Sequence, residues 1–371
     1  MPDSTESLRR FPAETLRAQV EAVLTAWGFA TDQARASAQV MVEADLNGID
    51  SHGITMLLYY EGLVQAGALN PAPGVRVLRE SPATALMDGD RGLGHAVSLQ
   101  AMDLACDKAA AVGVGAVAVR RSDHFGAAGV YAAQAAARGM VSLITSNGFT
   151  RCVVPAGGAR PMFSTNPIAF GAPAQANPPM MFDIATSTAS IGKVNLAWLA
   201  GKPIPPGWVV DATGQPVTDP ARARVIIYDT GAGGLTPLGG TPEMSAHKGY
   251  GICTMIEVLS ALLSGATAAP FQSSREPGPQ GTDTGHFFLA LNPEAFRPLS
   301  EFHAEMDRLI DTLRATPPTD PARPVMAPGD IEWRSRAERQ DAGIPVPGKL
   351  RAELQALCER AGAAFLLDSE T

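Results

Sequence analysis

The sequence of 371 residues has little charge, few cysteines and no long apolar run. Only 18% of its residues are charged and the net charge is −8, so the basic surface that binds nucleic acid is absent. The longest run without a charged or strongly polar group, residues 109–119, is interrupted by glycine. It is far shorter than the roughly 20 residues of a membrane-spanning helix. We therefore expect no nucleic-acid partner and no membrane span, and an anionic ligand would need a local positive site.

Cysteine and histidine occur without the spacings that bind metals or form disulfide frameworks. The four cysteines are Cys106, Cys152, Cys253 and Cys358. The six histidines include no H-x-x-x-H pair, and there is no G-x-S-x-G motif. The N-terminus has no apolar leader segment. The sequence predicts a cytoplasmic protein without a metal site.

Apolar periodicity predicts helices near both ends of the chain and alternating strands and helices between them. The expected helices cover residues 13–27, 31–47, 51–67, 95–112, 126–138, 248–264, 299–313 and 349–361, with one more before Gly343. Strands are expected at residues 75–78, 84–87, 115–119, 141–145, 168–170, 180–183 and 286–291. Residues 151–219, dense in Gly, Pro, Thr and Asn, are expected to form binding loops. The alternation predicts the α/β class.

A G-x-G-x-x-A sequence at residues 113–118 matches the loop that binds dinucleotides in Rossmann folds. In that fold the loop leaves a strand and enters a helix, whose N-terminus faces the pyrophosphate. Here the predicted order is reversed, because a helix ends before the glycines and a strand follows them. We interpret Gly113 as a helix C-cap, not as a phosphate-binding residue.

Two histidines lie in stretches that suit proton transfer or anion binding. In Asp-Ser-His-Gly at 50–53, Asp50 or Ser51 is expected to cap the third helix, placing His52 in its first turn. The dipole there disfavours imidazolium, and a neutral imidazole beside Ser51 can move a proton near pH 7. An exposed histidine after a capping serine is the alternative. The second stretch, residues 120–126, holds Arg120, Arg121 and His124 between a strand and a helix, where an anion can bind; a solvated arginine pair is the alternative.

Three further stretches are polar turns or a helix start. Residues 164–167 (Ser-Thr-Asn-Pro) and 182–187 (Phe-Asp-Ile-Ala-Thr-Ser) offer hydroxyls and backbone donors for a ribose or carboxylate, although ordinary Ser/Thr and Asx turns look the same. His-Lys-Gly-Tyr-Gly at 247–251 opens a helix with Lys248 in a position unfavourable for the helix dipole. A bound phosphate would reverse the sign of that interaction, so this stretch favours function.

Together with Gly-His-Phe-Phe at 285–288, these stretches resemble the type-2 malate/L-lactate dehydrogenase family. The family also includes sulfolactate, ureidoglycolate and diketogulonate oxidoreductases and ketimine reductases. The resemblance covers nearly the whole chain. It implies a non-Rossmann α/β fold that binds NAD or NADP, with a mixed sheet, flanking helices and a helical N- and C-terminal part. It also implies a homodimer with the active site near the subunit interface.

The resemblance assigns a role to each matching residue. His52 is the acid/base group that protonates the substrate oxygen, Ser51 is its hydrogen-bond partner, and Thr165 lines the substrate pocket. His124 lies at the nicotinamide and is the alternative acid/base group. The implied cofactor-binding residues are His124, Phe125, Gly126, Met181, Phe182, Asp183, Ile184, Ala185, Thr186, Ser187, His247, Lys248, Gly249, Gly329, Asp330 and Ile331.

Two positions depart from the family pattern. Many members carry an arginine that grips the substrate carboxylate where this chain has Met56, and a thioether cannot form a bidentate charged pair. Either the substrate is larger or more apolar, or another group such as Arg120 binds the carboxylate. Ketimine reductases have an aspartate where this chain has Lys193, which favours carbonyl over imine chemistry.

The sequence therefore predicts an NAD(P)-dependent oxidoreductase that interconverts 2-hydroxy acids and 2-oxo acids. A cyclic ketimine reductase is the alternative, and a catalytically silent nucleotide-binding protein is a third possibility. Site residues from Ser51 to Ile331 must converge, so we expect interwoven parts: a helical region 1–74 packed with 299–371, a substrate-side part 75–125 and a cofactor-binding part 126–298. The low charge leaves surface for an apolar dimer interface.

Overall fold

The computed structural model describes residues 8–272 and 278–368. The α-helices of these residues are α1 (Ala13–Ala26), α2 (Thr31–Leu46), α3 (Leu57–Gln65), α4 (Gly94–Val112), α5 (Gly129–Ala137), α6 (Ile191–Leu199), α7 (Pro220–Val225), α8 (Ala246–Ile256), α9 (Leu299–Arg314), α10 (Asp330–Ala342) and α11 (Gly348–Ala361). The strands are β1 (Arg9–Phe11), β2 (Arg76–Glu80), β3 (Thr84–Gly92), β4 (Val114–Ser122), β5 (Val141–Ser146), β6 (Ile168–Ala172), β7 (Met180–Ile184), β8 (Val209–Val210), β9 (Pro216–Val217), β10 (Gly234–Leu235), β11 (Thr284–Leu291) and β12 (Ile344–Val346). The predicted α/β class is confirmed. Within these ranges, no helix is both long and apolar enough to cross a membrane.

The central sheet has seven strands in the order β2-β3-β4-β11-β5-β6-β7. β3 and β4 are parallel, and the other neighbouring pairs are antiparallel. β11 comes from late in the chain and separates β4 from β5. The sheet is therefore mixed, as the resemblance implied.

The antiparallel order brings several predicted functional stretches to one edge of the sheet. The register pairs Ser122 with Thr284, His286 with Ser146, and Ile168 with Ile184. The end of β4, the start of β11, the start of β6 and the end of β7 therefore lie at the same edge. This explains how residues 123–126, 164–167, 182–187 and 285–288 share a region of the molecule.

The sheet packs against α4 and α5 through many alanines and a few large side chains. The core here includes Met102 of α4, Tyr131 of α5 and Phe288 of β11, all fully buried. Gly115 allows β4 to approach α4, since a Cβ there would lie 1.9 Å from the carbonyl oxygen of Ala105. The glycine motif at 113–118 is thus a packing element, and its first residue is the C-cap of α4 with φ 89°.

A second core joins the two ends of the chain. Leu16 and Leu24 of α1 pack with Leu357 of α11 and Ile344 of β12, and β1 pairs with β12. The N-terminal helices therefore pack with the last helix. The division into parts 1–74 with 299–371, 75–125 and 126–298 stays a prediction, and its residues 1–7, 273–277 and 369–371 lie outside the described ranges.

Residues 151–219, expected to be binding loops, contain regular structure. Helix α6 lies in this stretch, and β8 and β9 form a small sheet with β10. Val194 and Val209 pack into a third core with Cys152. The prediction missed α6 because two of its apolar side chains, Leu196 and Leu199, are exposed, so the helix shows no clean apolar stripe.

Candidate active site

His52 lies on a 3₁₀ turn, Asp50–His52, and not in the first turn of an α-helix. Gly53 interrupts the helix with ψ −147°, and a second 3₁₀ turn leads into α3. The prediction that Asp50 or Ser51 caps the third helix is therefore wrong, and the Asp50 carboxylate instead pairs with Arg339 of α10. The helix-dipole explanation for a neutral His52 fails with it. Burial is the cause that lowers the pKa of His52 below its usual value.

A buried carboxyl supports the turn that carries His52. Asp45 of α2 is 2% exposed, and its Oδ2 accepts the Ile54 backbone N–H at 2.9 Å. A Cβ at position 53 would lie 1.6 Å from Asp45 Oδ1, so this position requires glycine. Burial raises the pKa of Asp45 to about 8. We call the contact of Asp45 with Gly53 and Ile54 the turn clamp; sequence reasoning missed it.

His52 and His124 lie side by side. Their ring centroids are 5.5 Å apart with 21° between the planes, and Ser51 Oγ lies 2.9 Å from His52 Nδ1. Burial lowers the pKa of both imidazoles, and a charge on His52 lowers that of His124 further. Both rings are therefore uncharged near neutral pH. A positive charge on one imidazole disfavours a positive charge on the other.

The turn after β4 holds His124 in place. Asp123 Oδ1 accepts the His124 backbone N–H at 2.7 Å, and Asp123 Oδ2 accepts the Thr282 hydroxyl at 2.8 Å. The ring of Phe125 stacks on that of His286, with centroids 4.6 Å apart. The hydrogen bonds of Asp123 and the stacking of Phe125 on His286 thus fix this turn against the sheet.

Sequence reasoning also missed Tyr60 and His95. The hydroxyl of Tyr60 lies 2.8 Å from His124 Nδ1 and 3.3 Å from His95 Nε2. Both residues are fully buried. The available signal was a polar aromatic group within apolar helical sequence. Gly126 lies beside them, since a Cβ there would be 2.9 Å from His95 Nε2.

Residues 181–187, predicted to bind the cofactor, contact the segment after His124. Asp183 Oδ2 accepts the backbone N–H of Gly129, the first residue of α5, at 2.8 Å. Burial raises the pKa of Asp183 to about 6. The Asp183 carboxyl therefore supports α5 directly.

Thr186 connects two more of the predicted stretches. Its backbone N–H and its hydroxyl both donate to the carbonyl of Thr165, at 2.8 and 3.1 Å. The Thr186 carbonyl accepts the N–H of Leu238 at 2.8 Å. A Cβ on Gly249 would lie 2.2 Å from the carbonyl oxygen of Leu238. Thr165, Thr186 and Gly249 are thus joined through one loop, and His247 and Lys248 are exposed at the start of α8.

The remaining cofactor residues differ in their surroundings. A Cβ on Gly329 would lie 3.1 Å from the backbone nitrogen of Met181, so these stretches meet. Asp330 forms an ion pair with Arg314. Phe182 stacks on Phe170, Ser187 donates to the carbonyl of Ala189, Ala185 is half-buried, and Ile184 and Ile331 are exposed.

Three residues that bear on the substrate have other contacts. The half-buried Met56 packs against the core that joins the chain ends. Arg120 pairs with Asp88 at 3.4 Å. Lys193 is exposed, and its backbone N–H donates to Ser190 Oγ at the start of α6. In the described part of the chain, no group of three or more His, Cys, Asp or Glu side chains could hold a metal ion.

Comparison with known proteins identifies the family. The malate/L-lactate dehydrogenase model matches residues 11–355. The chain belongs to this family. A malate dehydrogenase of Pyrococcus abyssi is 36% identical over 362 residues, covering 97% of each chain. An L-sulfolactate dehydrogenase of Methanocaldococcus jannaschii is 36% identical over 340 residues, covering 92% of this chain and 94% of that protein.

The likeness extends to the fold and to a reductase of a different substrate class. The crystal structure of malate dehydrogenase from Entamoeba histolytica has a TM-score of 0.91 at 30% identity, covering 96% of this chain and 99% of that one. A Δ¹-pyrroline-2-carboxylate reductase of Ancylobacter novellus is 32% identical over 340 residues, covering 91% and 94%. The predicted family, its fold and a dehydrogenase acting on 2-hydroxy and 2-oxo acids are confirmed for this malate/L-lactate dehydrogenase family member.

Proposed function

We propose that this protein interconverts 2-oxo acids and 2-hydroxy acids with NAD or NADP, and that His52 is the proton donor and acceptor. The observation that carries the proposal is the stacked His52–His124 pair, held 5.5 Å apart beside the sheet edge where the predicted cofactor stretches meet. A nicotinamide dinucleotide, when bound, supplies or accepts the hydride.

The chemistry of His52 follows from its surroundings. In the reduction of a 2-oxo acid, carbon C2 gains a hydride and its oxygen gains a proton. Ser51 occupies His52 Nδ1 at 2.9 Å, which leaves Nε2 to donate that proton. Because burial lowers its pKa, protonated His52 is a stronger acid than free imidazolium. In the oxidation, neutral His52 accepts the proton from the hydroxyl.

The described residues fit a dinucleotide at the start of α8. No side chain caps this helix among the described residues, and Lys248 and His247 are exposed there. A helix N-terminus with a lysine favours a pyrophosphate. The glycine at 249 lets the helix approach the loop of Leu238, which contacts the turn at 181–187. These residues, with Gly329 beside Met181, would hold the cofactor.

We further propose a substrate that is larger or more apolar than malate, with Thr165 lining its pocket. Met56 offers a thioether where many members carry arginine, and Arg120 is paired with Asp88. Reduction of a cyclic ketimine is the second candidate, favoured by the pyrroline-2-carboxylate reductase relative. Two observations support the first candidate. Lys193 stands where ketimine reductases have an aspartate, and the malate and L-sulfolactate dehydrogenases named above are 36% identical against 32% for the reductase.

We also propose a cytoplasmic homodimer with the three interwoven parts described above. An apolar stripe that runs from the second half of α8 into the following π-helical segment, Glu257–Leu262, supports the dimer. Its residues Ile252, Met255, Val258 and Leu262 are all exposed and spaced three or four residues apart. A second copy covering this stripe would remove apolar area from water. Sedimentation velocity tests it, with Val258→Asp expected to yield monomers. Cys106, Cys253 and Cys358 are buried and form no disulfide among the described residues, which supports a reducing compartment.

The experiment that tests the function is a panel assay. Purified protein is mixed with NADH or NADPH and a set of 2-oxo acids or cyclic ketimines, and cofactor oxidation is followed. We expect turnover of 2-oxo acids, and a loss of about 10²–10⁴-fold in kcat for His52→Gln. Turnover of ketimines alone would overturn the substrate assignment. Cofactor binding without any turnover would favour the silent nucleotide-binding protein.

A further inference from the structure

His124 Nδ1 receives hydrogen bonds from two sides. The Gly126 backbone N–H points to it at 3.3 Å, and the Tyr60 hydroxyl oxygen lies 2.8 Å away. A backbone N–H can only donate, so Nδ1 must carry a lone pair and no proton. The Tyr60 hydroxyl must then also donate to Nδ1. A proton on Nδ1 would face the Gly126 N–H directly.

His95 completes the same chain of hydrogen bonds. Since the proton of the Tyr60 hydroxyl goes to His124, its oxygen is free to accept from His95 Nε2, 3.3 Å away. Neutral His95 then carries its proton on Nε2 and a bare lone pair on Nδ1. His95 Nδ1 is buried and has no hydrogen-bond partner in the described parts of the chain. The opposite direction would bury an unpaired N–H there.

The groups around His124 also keep the ring neutral. His52, His95 and His286 face it, and a positive charge on any of them lowers the pKa of His124, in addition to the larger effect of burial. The Asp123 carboxyl is occupied by the His124 backbone N–H and by Thr282. A neutral ring without a proton on Nδ1 carries its proton on Nε2.

We propose that Tyr60 is a positioning residue that holds His124 as the Nε2–H tautomer, which makes His124 a fixed hydrogen-bond donor to a carbonyl oxygen of a bound ligand. The tautomer rests on geometry alone; the role of the ligand rests on the proposed function. The carbonyl oxygen belongs either to the 2-oxo acid or to the nicotinamide carboxamide. In both cases His124 does not exchange the proton of the reaction, and His52 does.

The tautomer is measured directly by NMR. Protein labelled with ¹⁵N in histidine is examined by long-range ¹H–¹⁵N correlation, and a His124→Gln variant assigns the signals of that ring. We expect a pyridine-like Nδ1 and a pyrrole-like Nε2 in the wild-type protein. In Tyr60→Phe we expect a mixture of tautomers, because the remaining Gly126 contact at 3.3 Å is weaker than the lost Tyr60 contact at 2.8 Å. Tyr59→Phe is the matched control, because Tyr59 lies next in sequence and its ring centroid is 6.0 Å from that of His124. It should leave the His124 signals unchanged.

Binding and kinetic measurements show whether the carbonyl oxygen that accepts the hydrogen bond from His124 Nε2 belongs to the cofactor or to the substrate. If it belongs to the cofactor, Tyr60→Phe raises the Kd of NADH or NADPH about five- to tenfold, as expected for one lost hydrogen bond. If it belongs to the substrate, the same factor appears in kcat/KM of the 2-oxo acid while the cofactor Kd is unchanged. The apparent pKa of kcat should stay that of His52 in either case.

Two results would overturn the proposal. A protonated Nδ1 in the wild-type protein contradicts the tautomer and needs no variant. An unchanged His124 spectrum in folded Tyr60→Phe contradicts the role of Tyr60. If the tautomer is as expected but no 2-oxo acid is turned over, the proposed function fails while the assignment of the ring stands.

Discussion

Replacing Gly53 with alanine perturbs the turn clamp without straining the backbone. The φ of −88° and ψ of −147° at this position involve no left-handed backbone. The new Cβ would lie 1.6 Å from Asp45 Oδ1 and 2.0 Å from its Cγ, so the carboxyl must move. The Ile54 N–H then loses its acceptor, which costs about 1–3 kcal/mol, and the overpacked site adds about 1–3 kcal/mol. We expect Gly53→Ala to lower the free energy of unfolding by about 2–6 kcal/mol.

A double-mutant cycle with Asp45→Ala separates this steric cause from others. Asp45→Ala removes the carboxyl that the new methyl group meets, so Gly53→Ala in that background should cost less than about 1 kcal/mol. The coupling between the two positions should therefore reach about 2 kcal/mol. Urea unfolding of the four proteins measures it, and kcat of Gly53→Ala should fall because the turn carries His52. Equal costs of Gly53→Ala in both backgrounds would refute the reasoning.

Three further predictions concern pH, substrate and cofactor. The pKa of Asp45 is raised to about 8, so the folded protein keeps a proton that the unfolded chain releases near pH 4. The contribution of this group to stability therefore falls as the pH rises from about 4 to about 8. The stability of Asp45→Asn relative to wild type should thus increase by about 1.4 kcal/mol per pH unit between pH 5 and 7 in urea titrations. Met56→Arg should raise kcat/KM for small 2-oxo acids about tenfold or more, whereas Met56→Gln should not, because only a guanidinium pairs bidentately with a carboxylate. Lys248→Gln should weaken binding of NADH or NADPH about tenfold, measured by fluorescence titration, with the exposed Lys202→Gln as control.

Each of these has a contrary outcome. A flat difference between Asp45→Asn and wild type would mean that Asp45 is ionised in the folded protein. Equal kinetics for the arginine and glutamine variants at position 56 would separate that position from the substrate carboxylate. Equal losses for the two lysine variants would show that Lys248 acts only through net charge.

Contiguous motifs are the parts of the candidate site that a sequence can predict, and the roles assigned to their residues stay predictions. The stretch around His52 and the stretch around His124 were both identified, although the sequence did not show that their rings stack. The order of helix before strand at Gly113 could also be predicted from the sequence, because helix periodicity precedes this residue and strand composition follows it. These features depend on local chemistry, which a single stretch of sequence contains.

The supporting residues could not be predicted because they act across the fold. Asp45 contacts Ile54 from another helix, and its burial depends on how α2 packs. Tyr60 of α3 contacts His124 because the fold brings α3 next to the end of β4. The break at Gly53 depends on the same packing, so the sequence pattern predicted one helix where two 3₁₀ turns precede α3.

Transfer of deuterium tests the central claim most directly. NADH or NADPH carrying deuterium at both positions of nicotinamide C4 is incubated with the protein and its best 2-oxo acid, and the product is analysed by mass spectrometry and NMR. The account predicts a 2-hydroxy acid with one deuterium at C2, formed by the wild-type protein and strongly reduced in His52→Gln. A product without deuterium at C2, or no product from any 2-oxo acid, would contradict it.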